Sequence, residues 1–298
     1  MTAEIDGTTS AWIAARAILH ERGDELFRRM DKVLATFDLD DIHDLRVASR
    51  RLREALALFA PCYSPERIGR IDKRVRKVTR LLGEMRNTDE ALLFFTRLAG
   101  ELEAPCRGAL EPFIVSLREK REREAGRLAD GLRKMSGAGL RDLYRRSLDA
   151  LSLFTPREDG TDPFAPLSGF ARDALDARFS AIAELVPRAR EEGAIEAQHR
   201  LRIAVKHFRY RTELLSFLFG TGYRQLHAAL RGYQDVLGKM HDLDVFAGIV
   251  REAHFPPGAE KSIPDAIIAE REKLFREFSA MLEERPLEEI GEEVRNAL

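Results

Sequence analysis

Cysteine is scarce in this 298-residue chain: Cys62 and Cys106 are the only two, and they fit no metal-ligand spacing. Two thiols in such a chain read as core fillers rather than as a disulfide framework. Proline is held to 12 residues and the glycines are scattered, which excludes collagenous and linker-like classes. There are no alternating β-branched runs, so no strand or hairpin is predicted. The longest uncharged apolar stretch, ALALFAPCY at 55–63, falls far short of the ~20 residues that span a bilayer. The opening MTAEIDGTTS lacks the basic start and apolar core of a signal peptide, and the expectation is a soluble, cytoplasmic protein. Catalytic signatures are missing too. GTGYR at 220–224 lacks the lysine of a phosphate-binding loop, and there is no Gly-x-Ser-x-Gly elbow.

Charge is abundant, at 33% of residues, and its total is balanced, with 49 Lys+Arg against 50 Asp+Glu. The balance hides segregation. Residues 43–86 carry 12 basic against 5 acidic side chains, and 199–241 carry 8 against 2. The stretch 251–298 reverses this, with 7 basic against 12 acidic, and reads as a solvated acidic end. Apolar residues recur with helical periodicity nearly throughout. That spacing predicts helices near 9–36, 41–60, 65–83, 87–99, 106–135 and 139–153. After a break at TPREDGTDP (155–163), it predicts helices near 164–190, 194–219, 222–237, 241–253, 264–284 and 286–297. FPPGAEKSIP (255–264) is predicted to be a loop. Trp12 lies on an apolar face and is assigned to core or interface.

Two of the predicted helices open alike. HDLRVASRRLR (43–53) and HRLRIAVKHFR (199–209) are identical in five of eleven columns: His43/His199, Leu45/Leu201, Arg46/Arg202, Ala48/Ala204 and Arg53/Arg209. Arg50/Lys206 is like for like. The likeness resumes at LLGEMRNTD (81–89) and VLGKMHDLD (236–244), with a one-residue change of offset that falls in an interhelical loop. The chain therefore reads as an internal duplication, with residues 1–155 and 156–298 as its two helical repeats.

On a helix, His43, Arg46, Arg50 and Arg53 fall within an arc of about 80°, with Leu45, Leu52, Leu56 and Phe59 opposite. His199, Arg202, Lys206 and Arg209 form the same stripe in the second copy. On the following helix Lys73, Arg76, Lys77 and Arg80 share a face. Their second-half counterparts are sparser: Arg224, His227, Arg231 and Lys239 are spread among tyrosines, and Arg231 joins the candidate set. A solvated helix face is the plain account of any charged stripe. Such faces, however, mix signs, because like charges at i,i+4 each cost ~0.2–0.5 kcal/mol. Here three cations stack at i, i+4 and i+7, twice. Arginine also offers a planar fork that grips phosphate oxygens in pairs.

The motif H-x-L-R-V-A-x-R-R-L-R, with the later L-G-x-x-R-x-x-D, resembles the CHAD domain (conserved histidine α-helical domain), and the resemblance covers essentially the whole chain. It implies an all-α fold of two tandem four-helix-bundle halves related by pseudo-two-fold symmetry, together one domain. It also implies non-enzymatic binding of inorganic polyphosphate through basic residues, with no cofactor and no metal, and association with polyphosphate granules. Carried over, the contacts are His43, Arg46, Arg50 and Arg53 with His199, Arg202, Lys206 and Arg209, and Arg86 from the L-G-x-x-R segment. Two positions depart from the family's pattern: Asn87 stands for Asp and His241 for the second Arg. The Glu-x-Glu-x-Lys signature of a fused triphosphatase is absent; EREKL (270–274) places its lysine one position early.

Three other readings stay open. The same cations would hold a nucleic-acid backbone or any polyanion, although sequence-specific reading is disfavoured by only 2 Asn and 3 Gln in the chain. A helical scaffold with a protein partner is the second. The third takes Asp40-x-x-His43 and Glu196-x-x-His199 as metal-binding pairs, but Arg46 and Arg50 continue the histidine face and would repel a dication. The two motif histidines either donate to the anion or lock a helix pair through a backbone carbonyl.

Overall fold

The computed structural model describes residues 5–137, 139–149, 162 and 164–298. Among them there is no β-strand, only an isolated bridge between Ser10 and Pro166. The elements in order are α1 (Ala11–Thr36), α2 (Leu39–Leu58), α3 (Pro65–Glu101), α4 (Ala104–Gly137), α5 (Leu140–Asp149), α6 (Leu167–Ala189), α7 (Ile195–Leu214), α8 (Tyr223–Glu252), α9 (Ala259–Glu284) and α10 (Leu287–Asn296). The fold is all-α, as expected.

Local chemistry sets several ends. Phe37 closes α1 in the left-handed region at φ 50°, and Asp38 caps α2 by accepting the Asp40 N–H at 2.9 Å. Asp40 and Asp41 then occupy the positive end of the α2 dipole. Pro65 starts α3 in the first turn, where its missing N–H costs nothing.

Three expectations about helix boundaries are corrected. Residues 65–83 and 87–99 form one helix, α3, and residues 222–237 and 241–253 form one helix, α8. The buried stripe Ile71, Val75, Val78, Leu82, Met85, Ala91, Phe95, Leu98 runs through Gly83 without losing register. In α8, Leu226, Leu230, Tyr233, Leu237, Met240, Leu243, Phe246 and Val250 do the same through Gly238. Burial of these stripes outweighs the ~1 kcal/mol that an interior glycine costs. Third, α9 begins at Ala259, inside the expected loop 255–264. Ala259, Ile263 and Ile267 are buried on one face, and Pro264 removes a single early backbone bond. The break expected at 155–163 lies outside the described residues except for Asp162.

Packing follows the same order twice. Helices α1 to α4 contact one another in sequence, and α5 lies across α1, α3 and α4; α6 to α9 repeat this order, and α10 lies across α6 and α8. Each short helix docks through a glycine contact, α5 over Gly23 of α1 and α10 through its own Gly291. A Cβ on Gly23 would run into the Tyr144 ring, and one on Gly291 would run into Phe179. The two sets share one core. Phe59 stacks on Phe170 at 5.8 Å, Phe94 on Phe246 at 5.0 Å, and Phe113 meets Phe255 edge-on at 5.8 Å. At their junction Glu54 of α2, 2% exposed, accepts from Arg211 Nε at 2.7 Å and pairs with His207 Nδ1 at 2.5 Å, both from α7. Burial raises the Glu54 pKa, and the bonds from His207 and Arg211 reverse this, so its net shift is downward.

Candidate anion-binding site

Helices α2 and α7 pack against each other, and α3 and α8 flank them. The stripe of α2 thereby meets the stripe of α7. Arg46, Arg50 and Arg53 of α2, Arg202 and Lys206 of α7 and Arg86 of α3 gather into one half-buried cluster. Their mutual influence shows in their acidities. Burial first, and then Arg50, Arg202, Arg53 and Arg46, push the Lys206 ammonium down to about 8. Burial, Arg50 and Arg86 lower Arg46, and burial together with Arg50 lowers Arg202, although Asp242 opposes both.

Negative charge inside the cluster is sparse. Asp242 is the acid that all of Arg202, Arg86, Arg46 and Arg50 act on, yet burial outweighs them and raises its pKa. Arg86 pairs with Glu90, one turn along its own helix, and Arg53 Nε lies 3.8 Å from Asp72. Among the described residues no ion pair engages Arg46, Arg50, Arg202 or Lys206. The Nε atoms of Arg46, Arg53 and Arg202 are buried without any hydrogen-bond acceptor. Buried donors of this kind are costly when left unmade, by about 1–3 kcal/mol each. Half-buried cations with unused donors are chemically suited to an anion.

The cluster opens into a cleft of about 750 Å³ between α2, α3 and α7. Arg50, Arg53, Arg76, Arg178 and Lys206 line it, along with His207 and Tyr210. Leu56, Ile68 and Ile203 add apolar surface, and the carboxylates of Glu54 and Asp72, held by His207 and Arg211 and by Arg76, also line it.

The other expected residues are placed as follows. Arg76 reaches this cleft but is held by Asp72 Oδ2 at 2.6 Å. Lys73, Lys77 and Arg80 are exposed along α3, and His43 is exposed at the start of α2. Arg231 is exposed on α8, 3.6 Å from Asp235. Arg209 departs from its expected stripe. It is buried, donates from Nε to Gln234 at 2.9 Å, pairs with Glu213 at 3.1 Å and meets His227 Nε2 at 3.0 Å. Its repeat counterpart Arg53 faces Asp72, the position equivalent to His227; different partner residues turn one arginine to the cleft and the other into the core.

His199 is part of the cluster's edge, and its Nδ1 lies 2.9 Å from Nδ1 of His241 on α8. Neither predicted role for a motif histidine describes this contact, which links two helices side chain to side chain. His241 falls to about 4 through burial and then through Arg202, His199 and Lys206; His199 is lowered by burial and Arg202. Both rings are therefore neutral near pH 7, one Nδ1 donating and the other accepting.

Several participants carried no usable signal in the sequence. Asp242, Arg178, His207 and Tyr210 join the site only through tertiary packing. The aspartates of the repeated segment have a clear structural role instead: Asp89 binds Arg121 of α4 at 2.7 Å, and Asp244 binds Arg271 of α9 at 2.9 Å. Each pins the helix of its segment to the next one. Among the described residues no group of three His, Cys, Asp or Glu side chains is placed to hold a metal, and no helix is long and apolar enough to cross a membrane.

The chain's relatives agree with this architecture. The crystal structure of the CHAD domain from the plant Ricinus communis superposes with a TM-score of 0.60 at 22% identity, covering 100% of this chain and 96% of that one. PptA from Streptomyces chartreusis superposes with a TM-score of 0.63 at 16% identity, covering 95% and 99%. No curated protein matches the chain in sequence. The CHAD domain family model matches residues 17–251, which include both basic stripes and both L-G-x-M segments. With that match and the all-helical likeness, the chain belongs to the CHAD domain family.

Proposed function

We propose that this protein binds inorganic polyphosphate without transforming it, using one cationic site built by both repeats (1–155 and 156–298). The observation that carries the reading is the junction of α2 and α7, where Arg46, Arg50, Arg202 and Lys206 converge with no ion pair among the described residues and with buried, unused Nε donors. A linear polyanion carries about one charge per phosphate and needs no base-reading groups, so parallel cation rows suffice. Its oxygens would accept from Arg46, Arg53 and Arg202, and its charge would relieve the repulsion that lowers Lys206. Exposed Lys73, Lys77 and Arg80 continue the positive surface along α3 as a path for a long chain. His43, Arg76, Arg86 and His199 border it, and Arg231 extends it on α8. Association with polyphosphate granules follows from the same reading.

The test is binding of long-chain polyphosphate over a salt series, beside single-stranded DNA of equal charge. Arg46→Ala/Arg50→Ala and Arg202→Ala/Lys206→Ala should each weaken polyphosphate binding and flatten its salt dependence. Equal affinity for DNA would make the protein a general polyanion binder. Loss of binding in neither variant, with both folded, would return the stripes to solvated helix faces and favour a protein partner.

A further inference from the structure

Lys206 occupies a place where the rest of the cluster is arginine. It lines the cleft with Arg50, Arg53 and Arg178 and has no ion pair among the described residues. The exposed lysines of α3, Lys73 and Lys77, differ from it in both burial and company. We propose that Lys206 is a site of acylation by acyl phosphates, whose phosphate is gripped by Arg50 and Arg53 of the same cleft while the acyl carbon is presented to the lysine nitrogen.

The chemistry is balanced without further reagents. The neutral amine of Lys206 attacks the acyl carbonyl carbon and a C–N bond forms. The bond from that carbon to the phosphate oxygen breaks, the electron pair leaves with the phosphate, and the amine proton goes with it to give hydrogen phosphate. Three features favour this at Lys206. The cleft admits a small reagent. Guanidinium groups recognise phosphate through paired N–H donors and stabilise it as it leaves. Desolvation beside other cations also keeps a fraction of the amine neutral near pH 7.5, the condition that activates a lysine nucleophile. The groups facing Lys206 are Arg46, Arg50 and Arg53 from α2, Arg202 from its own helix and His241 from α8, with Asp72 and Arg76 of α3 and Arg178 of α6 also on the cleft. An acylated Lys206 loses its charge, so the modification would also weaken polyanion binding.

The inference rests on the same cation cluster as the proposed function but not on polyphosphate being its anion. The purified full chain is treated with acetyl phosphate at pH 7.5, and acetylation at each lysine is followed over time by peptide mass spectrometry. A parallel reaction uses a neutral donor, the N-hydroxysuccinimide ester of acetic acid. The expected result is that Lys206 reacts with acetyl phosphate at least about tenfold faster than Lys73 and Lys77. The ratio of acetyl phosphate rate to neutral-ester rate should also be larger at Lys206 than at those two, and excess inorganic phosphate should reduce it. Arg50→Ala, checked for folding by circular dichroism, should lower that ratio. A Lys206 rate at or below that of Lys73 overturns the proposal. An equal ratio at all three lysines overturns it as well, because no phosphate recognition is then involved. Neither arm contains polyphosphate, so a failure of polyphosphate binding leaves the outcome readable.

Discussion

At the scale of single residues, charge state is set by neighbours. Lys206 is held at about 8, well below an ordinary lysine, by burial and by four arginines. Two consequences follow with opposite signs. A bound polyanion needs the ammonium, so polyphosphate affinity should fall as pH rises through about 8, and Lys206→Arg should remove that fall; titration at pH 7 and pH 9 by calorimetry checks it. Without ligand, the unfolded chain holds this proton up to about 10.4 while the folded chain releases it earlier, so folding becomes more favourable with rising pH across that window. Denaturant unfolding at pH 7.5 and 9.5 should show wild type gaining on the order of 2 kcal/mol relative to Lys206→Met. Glu54 behaves in the other direction. Its pKa is depressed by His207 and Arg211, so its contribution is present above the ordinary glutamate range and is lost as pH falls through the folded value. Glu54→Gln leaves the buried Arg211 without its anion and should cost about 3–5 kcal/mol in urea unfolding at pH 7.

At the scale of elements, the same residue type has different meanings according to what approaches it. Gly23 of α1 admits the Tyr144 ring of α5, whose hydroxyl donates to the Leu19 carbonyl. Gly23→Ala should destabilise the protein by about 1–3 kcal/mol through overpacking. Gly126, inside α4, has open space where an alanine methyl would stand, and Gly126→Ala should stabilise the protein by about 0.5–1 kcal/mol. Thermal unfolding of the two variants separates these cases. Gly83 and Gly238 explain why the sequence suggested helix ends that do not exist. Glycine signals a break in local propensity, but the buried stripe on either side of each one keeps its period, and packing of that stripe decides. The helix start at Ala259 was hidden for the same reason, since Pro256, Pro257 and Pro264 describe local preference while Ile263 and Ile267 describe burial.

At the scale of the molecule, the packing of α2 on α7 places two similar stripes against each other, so like charges converge where helices of the two sets meet. Such a cluster repels itself in the free protein and favours an anion that bridges both sets. Adding polyphosphate should raise the unfolding temperature, with the increment shrinking as salt rises. Each double replacement at 46/50 or 202/206 should reduce the slope of log affinity against log salt by about one to two. The two similar segments are not copies in detail. Arg86 and Asn87 of the first segment become His241 and Asp242 in the second, so Asp242 has no counterpart in the first segment, and Arg53 and Arg209 follow different partners.

The all-helical class, the likeness of the basic segments 43–53 and 199–209 and the apolar stripes of the long helices are legible in the order of amino acids. These are periodic properties, and a period is written along the chain. Which of the cations act together is a matter of tertiary packing. Arg209 shares its stripe with Arg202 and Lys206, yet Gln234, Glu213 and His227 draw it into the core. Asp242, Arg178 and the His199–His241 pair enter through contacts between residues far apart in sequence. The long-range packing of helices fixes burial and neighbours, and those two quantities, rather than residue type, set whether a charged side chain is a solvated ornament, a structural pin or a free donor for an anion.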